Sequence, residues 1–156
     1  MKKRINWKIL IVSLIIVYLV AFIGSLFTSP VTNSAWYESI RPVITPPNWV
    51  FPIVWNILFF LIAISLYLSW LHSNKKQKNL VAWVFGINLV LNVFWSVLYF
   101  GLKNPVFAFY ELILLWISIL IMILVTCRIN KTSSYLLIPY FLWVSFAGVL
   151  NYLSAF

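Results

Sequence analysis

The sequence predicts an all-α membrane protein, a bundle of five transmembrane helices, and three observations lead there. Hydrophobic residues make up 64% of the 156-residue chain and charged residues 8%, with a mean hydropathy of +1.03. A soluble chain of this length has too little interior for so many apolar side chains, so its solvent is largely lipid. Each spanning helix needs about 20 apolar residues, which leaves room for about five or six with short connections. Five apolar segments meet that criterion, at residues 9–27, 50–71, 80–102, 105–127 and 135–156, and the basic residues gather in alternate connections. One domain, residues 1–156, accommodates all five spans.

The first span, residues 9–27, is a run of 19 residues without a charge. It follows a basic start, as a secretory signal does, but exceeds the roughly 7 to 15 residues of a signal's apolar region. Its small-residue pair Gly24-Ser25 makes a poor cleavage site. The first helix is therefore expected to stay in the membrane.

Between the first two spans lies a different kind of connection. Residues 36–55 read WYESIRPVITPPNWVFPIVW, with three Trp, four Pro, one Tyr and one Phe. A loop in water is normally polar and rich in Gly, Ser or Asn. This one is stiff, aromatic and nearly uncharged, so it is expected to fold over the outer end of the bundle as lid and wall of a ligand site. Pro47 and Pro52 stiffen the approach to the second span, and Trp55 falls about one turn inside it.

The remaining connections are short. Residues 72–79 and 128–134 are basic loops, and Lys103-Asn104 is barely a turn, with Asn104 placed to cap a helix whose first residue is Pro105. Loops this short make neighbouring helices antiparallel. Irregular backbone is not expected at membrane depth, where its polar groups would go unpaired. The third span carries a small-xxx-small pair, Ala82 and Gly86, which could seat a close helix crossing.

The formal charge of +9 does not indicate nucleic acid, because its distribution follows topology. Lys2, Lys3, Arg4, Lys8, Lys75, Lys76, Lys78, Arg128 and Lys131 fall on one side, against Arg41 and Lys103 on the other. The positive-inside rule then sets the N-terminus in the cytoplasm and the C-terminus outside, with some attraction of the basic face to anionic lipid. The aromatic loop faces outward in a cell membrane.

Several chemistries lack their residues. No Lys or Arg lies inside a span, so neither a Schiff base nor a voltage sensor has a candidate. The single His72, the single Cys127 and Met122 have no partners at metal- or haem-ligand spacing. No nucleophile triad can be assembled around one His, no Gly-rich phosphate loop is present, and one Cys forms no intrachain disulfide. No metal and no obligatory cofactor are expected.

Polar and aromatic residues at helical spacing carry the positive signal. Asn88, Asn92 and Trp95 fall at i, i+4 and i+7 on the third span, on one face. Such amides either bond to other helices, at about 0.6 kcal/mol each on average, or offer donors and acceptors to a ligand. Trp55 and Phe59 share a face of the second span; Tyr140, Trp143, Ala147 and Asn151 share one on the fifth. Trp7, Trp36, Trp70 and Trp83 are read as interfacial or lipid-facing. Trp55, Trp95 and Trp143 instead sit beside small or polar residues in the outer half, where three indoles would wall a flat apolar cavity. Glu111 is the only acid within a span; it is expected to be partly solvated or hydrogen-bonded, as a protonated carboxyl, to another helix. Glu38 is expected to pair with Arg41.

Together these segments carry a resemblance. Trp36-Tyr37, Arg41-Pro42, Pro46-Pro47, Trp49-Val50-Phe51 and Trp55, then LNVFWSVLYF at residues 91–100, Glu111, and LIPYFLWVSFAGVLNY at residues 137–152 resemble the TspO/MBR family of tryptophan-rich sensory and translocator (peripheral benzodiazepine receptor) proteins. The resemblance runs from the first span almost to the C-terminus. It implies a receptor or sensor that binds porphyrins such as protoporphyrin IX, haem-like tetrapyrroles and related planar aromatic ligands. The matching positions are Tyr37 and Pro46 from the loop, Trp55 and Phe59 from the second span, Asn88, Asn92 and Trp95 from the third, and Trp143 and Ala147 from the fifth. It also implies frequent dimers and two alternatives: light-dependent protoporphyrin degradation, with Trp55 and Trp143 as oxidisable candidates, or transport of porphyrin or another aromatic metabolite. Tyr37 and Arg41 are the loop groups expected to meet a tetrapyrrole's propionates.

Two positions depart from the pattern. Ile44 stands where the family commonly has an aromatic residue two places before the Pro pair. Tyr152 is followed by no basic residue, so the sterol-recognition pattern is incomplete and steroid transport is not carried over.

Overall fold

The computed structural model describes residues 5–156, so the topology residues Lys2, Lys3 and Arg4 lie outside the described part. Helix α1 is Trp7–Thr28, capped by Asn6, whose side chain accepts from the Ile9 amide. A one-and-a-half-turn helix, α2 (Ala35–Ile40), follows, capped by Ser34. The second span is α3 (Val50–His72). The third is α4 (Lys75–Ser96), continued by one wide π turn over Val97–Gly101. Helix α5 (Pro105–Cys127) is the fourth span, and the fifth combines short α6 (Lys131–Tyr135) with α7 (Ile138–Ala155). Five of these segments are long and apolar enough to cross a membrane, and the protein is an integral membrane protein.

Two expected boundaries shift. Residues 72–79 are not a basic loop: only Ser73 and Asn74 connect α3 to α4, because Asn74 and Gln77 form a reciprocal capping box that starts the helix at Lys75. The connection at 128–134 is likewise half helical, since the Asn130 side chain caps α6 through the Ser133 amide. The fifth span opens at Lys131, earlier than the expected 135, and is broken between Tyr135 and Ile138. Asn104 caps α5 as its position before Pro105 indicates, its side chain accepting from the Phe107 amide at 3.0 Å.

The helices form a ring in the order α3, α1, α4, α5, α7, with α3 and α7 meeting most sparsely. At the basic end this seam is closed by α6: Ser133 bonds the Ser65 and Ser69 hydroxyls of α3, and its own hydroxyl donates to the Ser65 carbonyl at 2.6 Å. All three serines are buried. Across the bundle, Asn88 of α4 donates to Ser118 of α5 at 2.8 Å. Small residues set the close approaches: a Cβ on Gly148 of α7 would come within 3.1 Å of Leu112, and one on Gly101 within 3.1 Å of Phe27. Ala82 and Gly86 lie on the exposed flank of α4, and nothing approaches Gly86 within 4 Å of where a Cβ would stand.

Candidate functional site

At the end opposite the basic connections the ring is hollow. A cavity of about 430 Å³ lies among α1, α3, α4, α5 and α7 and is roofed by the α1–α3 connection. That volume is in the range of small-molecule sites, roughly 300–1,000 Å³. Its walls follow from helical period. Trp55 and Phe59 face it one turn apart on α3, Asn92 and Trp95 on α4, Trp143 and Ala147 on α7. Of the sequence-derived set, Tyr37 also lines it.

The three indoles do converge, but in two hydrogen-bonding states. Trp95 donates through Nε1 to the Asn151 side chain at 2.9 Å, and Asn151 in turn donates to the Pro105 carbonyl at 2.8 Å. This indole is fixed by α7 and stacks on Tyr99 with ring centres 5.1 Å apart. The Trp143 Nε1 is buried and has no partner among the described residues. Trp55, stacked on Phe59 at 5.3 Å and edge-on to Tyr140 at 6.2 Å, likewise donates no hydrogen bond to a described residue. A buried donor without an acceptor is costly, by about 1–3 kcal/mol, so Trp143 marks a place where an outside acceptor would be welcome.

Asn88 and Pro46 stay off the wall. Asn88 is fully buried, donating to Ser118 and accepting from the Tyr140 hydroxyl at 3.3 Å. Asn92, one turn nearer the cavity, donates to the same hydroxyl at 3.1 Å and does line the cavity. Spacing put both amides on one face, but depth separates them: one is a strut between helices, the other is half strut and half wall. Pro46 shapes the lid; its neighbour Thr45 lines the cavity, with a buried hydroxyl that finds no partner among the described residues.

The lid is a packed structure. Tyr37, only 6% exposed, rests on Phe100 at 5.8 Å, and Trp36 stands edge-on to Tyr99 at 6.1 Å. Trp36 is therefore a lid residue rather than a simple interface anchor, with the Lys103 ammonium 5.8 Å from its ring centre. Trp7 and Trp83 are exposed, as a lipid-facing role requires. Asn48 ties the lid to the end of α1, donating to the Thr32 carbonyl at 3.1 Å and to the Asn33 side chain at 3.0 Å. Arg41 pairs with Glu38 at 2.9 Å, as expected, but does not reach the cavity wall. Burial raises the Tyr37 phenol above its ordinary 10.0; nearby Arg41 lowers it and Glu38 raises it. The Tyr37 hydroxyl is thus a neutral donor at physiological pH.

Glu111 departs from expectation. It is 5% exposed, and neither carboxyl oxygen has a partner among the described residues. It is neither partly solvated nor bonded to another helix. Leu112 and Leu115, not Glu111, are the α5 residues on the cavity wall.

Sequence reading missed the contribution of α1. Gly24, Ser25 and Thr28 line the cavity, and their signal was a cluster of small residues in an otherwise bulky helix. Among the described residues, none that lines the wall is charged. Its chemistry is apolar and aromatic, with neutral amides and hydroxyls, and no three His, Cys, Asp or Glu among the described residues group to hold a metal.

Comparison with known proteins agrees with this architecture. The TspO/MBR family model matches residues 12–155. The chain is 38% identical over 139 residues to the tryptophan-rich protein TspO of Chlorobaculum tepidum, covering 85% of each chain. It is 38% identical over 144 residues to the protein of the same name from Archaeoglobus fulgidus, covering 92% of each. With the translocator protein of Bos taurus it shares 28% over 134 residues, 84% of this chain and 79% of that one. With five apolar spans, an aromatic lid and a tryptophan-walled cavity, the chain belongs to the TspO/MBR family.

Proposed function

We propose that this protein is a membrane receptor or sensor that holds a porphyrin, or a related planar aromatic molecule, in the cavity between Trp55, Trp95 and Trp143. The supporting observation is the wall itself: three indoles around an uncharged space of about 430 Å³, with the Trp143 N–H buried and unsatisfied among the described residues. Indole faces stack well on a flat π system, and an acceptor on the guest would satisfy Trp143.

With no cation on the wall among the described residues, the carboxylates of protoporphyrin stay outside it. They face the lid end, where Arg41 and Lys103 are the basic residues. The basic end of the bundle faces the cytoplasm, so the lid is outside in a cell membrane. Ala82 and Gly86, exposed on α4, are the surface through which two copies would cross.

The test is a titration of purified protein with protoporphyrin in the dark, read by tryptophan quenching, followed by illumination. Saturable quenching that weakens in Trp143→Phe supports the reading; absence of saturable quenching ends it. Porphyrin absorption that declines under light, and does so less in Trp55→Phe and Trp143→Phe at equal binding, would replace the sensor reading with a degradative one.

A further inference from the structure

The cavity reaches the surface on the flank of the bundle. Five of its lining residues are exposed: Ser25, Ser29 and Asn33 at the end of α1 and just beyond, and Pro52 and Asn56 on α3. They define a slot between these two helices that runs downward from the membrane surface. Asn56 is six residues past the start of α3 at Val50, about 9 Å along the helix at ~1.5 Å per residue. Ser25 is three residues before the end of α1.

The surroundings of the slot are hydrocarbon-facing. Phe22 on the α1 lip is 60% exposed, and Ile53 and Phe60 on the α3 lip are 52% and 48% exposed. A carboxamide exposed amid such side chains is unusual, because polar groups at membrane depth normally face a bundle interior or a cavity. Here they do both, lining the cavity and meeting the outside. Their donors are quieted locally: Asn56 donates to the Pro52 carbonyl at 2.9 Å, Ser25 to Phe22 at 2.7 Å and Thr28 to Gly24 at 3.1 Å. Those bonds to their own helices let the lips tolerate lipid. Below, the Tyr18 hydroxyl donates across the seam to the Asn56 carbonyl at 3.3 Å and ends the slot.

The alternative way in, from above, is obstructed. Asn48 bridges to Thr32 and Asn33, Tyr37 rests on Phe100, and Trp36 on Tyr99. Opening the lid breaks all of these contacts; passing through the slot breaks none of them.

We infer that the cavity is loaded sideways from the lipid leaflet, through the slot between α1 and α3 bounded by Ser25, Asn56 and Tyr18. This inference rests on the proposed binding of planar aromatic molecules. The molecule it admits partitions into the membrane and enters with its flat apolar face leading, its charged edge remaining at the membrane surface.

The test uses full-length protein in phosphatidylcholine vesicles loaded with protoporphyrin, with dark quenching followed by rapid mixing. Ser25→Phe and Asn56→Phe plug the slot and should slow association by about tenfold, whereas residues deeper on the wall act chiefly on release. Unchanged rates, or a weaker Kd arising from release alone, would overturn the slot.

A milder variant covers the case in which the bulky ones misfold. In a Cys127→Ser background, the Ser25→Cys thiol should react with uncharged N-ethylmaleimide, resist a sulfonated thiol reagent, and be protected by protoporphyrin. Reaction with the sulfonated reagent as fast as with the uncharged one would overturn side access. If wild-type protein shows no saturable quenching, the porphyrin reading fails, while the reagent preference still decides whether the slot opens to lipid.

Discussion

The two ends of the bundle are built from similar residues and differ in what their polar groups do. At the basic end Ser65, Ser69 and Ser133 bond one another across the α3–α6 seam, and Thr126 bonds back to the Met122 carbonyl at 2.8 Å. Tyr67 accepts from the Asn6 amide at 3.2 Å. At the lid end, the Trp143 N–H, the Thr45 hydroxyl and the Glu111 carboxyl are buried without partners among the described residues. In lipid, an unpaired polar group has no water to turn to. The closed end thus holds the bundle together, while the hollow end keeps the Trp143 and Thr45 groups, on residues that line the cavity, in reserve for a guest; Glu111 lies off the wall.

The largest expected effect tests the hollow end. Ala147→Phe fills the cavity beside Trp143 and should weaken protoporphyrin binding by about a hundredfold, close to 3 kcal/mol, in the dark quenching titration. The thermal midpoint of the unliganded protein should hold steady or rise. A normal affinity would show that the cavity is not where the guest sits.

Next in size is a change at the closed end. Ser133→Leu forces a larger side chain into a fully buried site and should cost about 1–3 kcal/mol of stability, read by thermal unfolding in detergent. Affinity of the folded fraction should be preserved. If affinity collapsed instead, the two ends would not be independent.

Tyr140→Phe lies between them and sharpens the boundary. It removes the hydroxyl that accepts from Asn92 and donates to Asn88, for a loss of about 1 kcal/mol in stability. Asn92 is freed toward the cavity while Asn88 keeps Ser118, so affinity should change more in Asn92→Ala than in Asn88→Ala. Equal effects from the two alanine variants would erase the distinction between wall and strut.

The smallest effect concerns the lid. The Tyr37 phenol is raised in the folded protein, so at high pH the folded lid holds a proton that the unfolded chain has lost. Its docking energy is therefore constant at neutral pH and declines as pH rises through the ordinary value of 10.0 and beyond. Tyrosinate absorbance, taken as wild type minus Tyr37→Phe, should show a titration displaced upward from that value. A titration at the ordinary value would mean the lid is undocked.

Much of this was readable from the chain. The bounds of α5 coincide with the expected 105–127 because Asn-Pro is an unambiguous start and a basic residue follows the apolar run. The face carrying Trp55 and Phe59, and that carrying Trp143 and Ala147, follow from period alone. Periodicity ranks residues around a helix axis but says little about which neighbour faces them, so Asn88 and Asn92 could not be told apart. The start of α4 was hidden for another reason: its first turn is polar, and hydropathy sees only the part within lipid. Its Asn-x-x-Gln cap was nevertheless present at Asn74 and Gln77. The role of Trp36 was unreadable because it depends on Tyr99, 63 positions away in sequence and brought close by the third span.

Tyr99 belongs to the wide turn at the end of α4, where the Leu102 amide reaches back to the Val97 carbonyl at 2.8 Å. A π turn amounts to one residue inserted into an α-helix, often retained where it serves a site. Removing one residue between Val97 and Gly101 would return the segment to ordinary pitch and shorten its hydrogen-bonded rings. Because the wide turn absorbs that residue, the chain beyond would keep its phase, but Tyr99 and Phe100 inside the segment would turn relative to α1 and the lid, taking the aromatic pedestal out from under Trp36 and Tyr37. The helix would gain regularity and the roof would lose its footing, so length in this short segment is under tighter constraint than the identity of most residues within it.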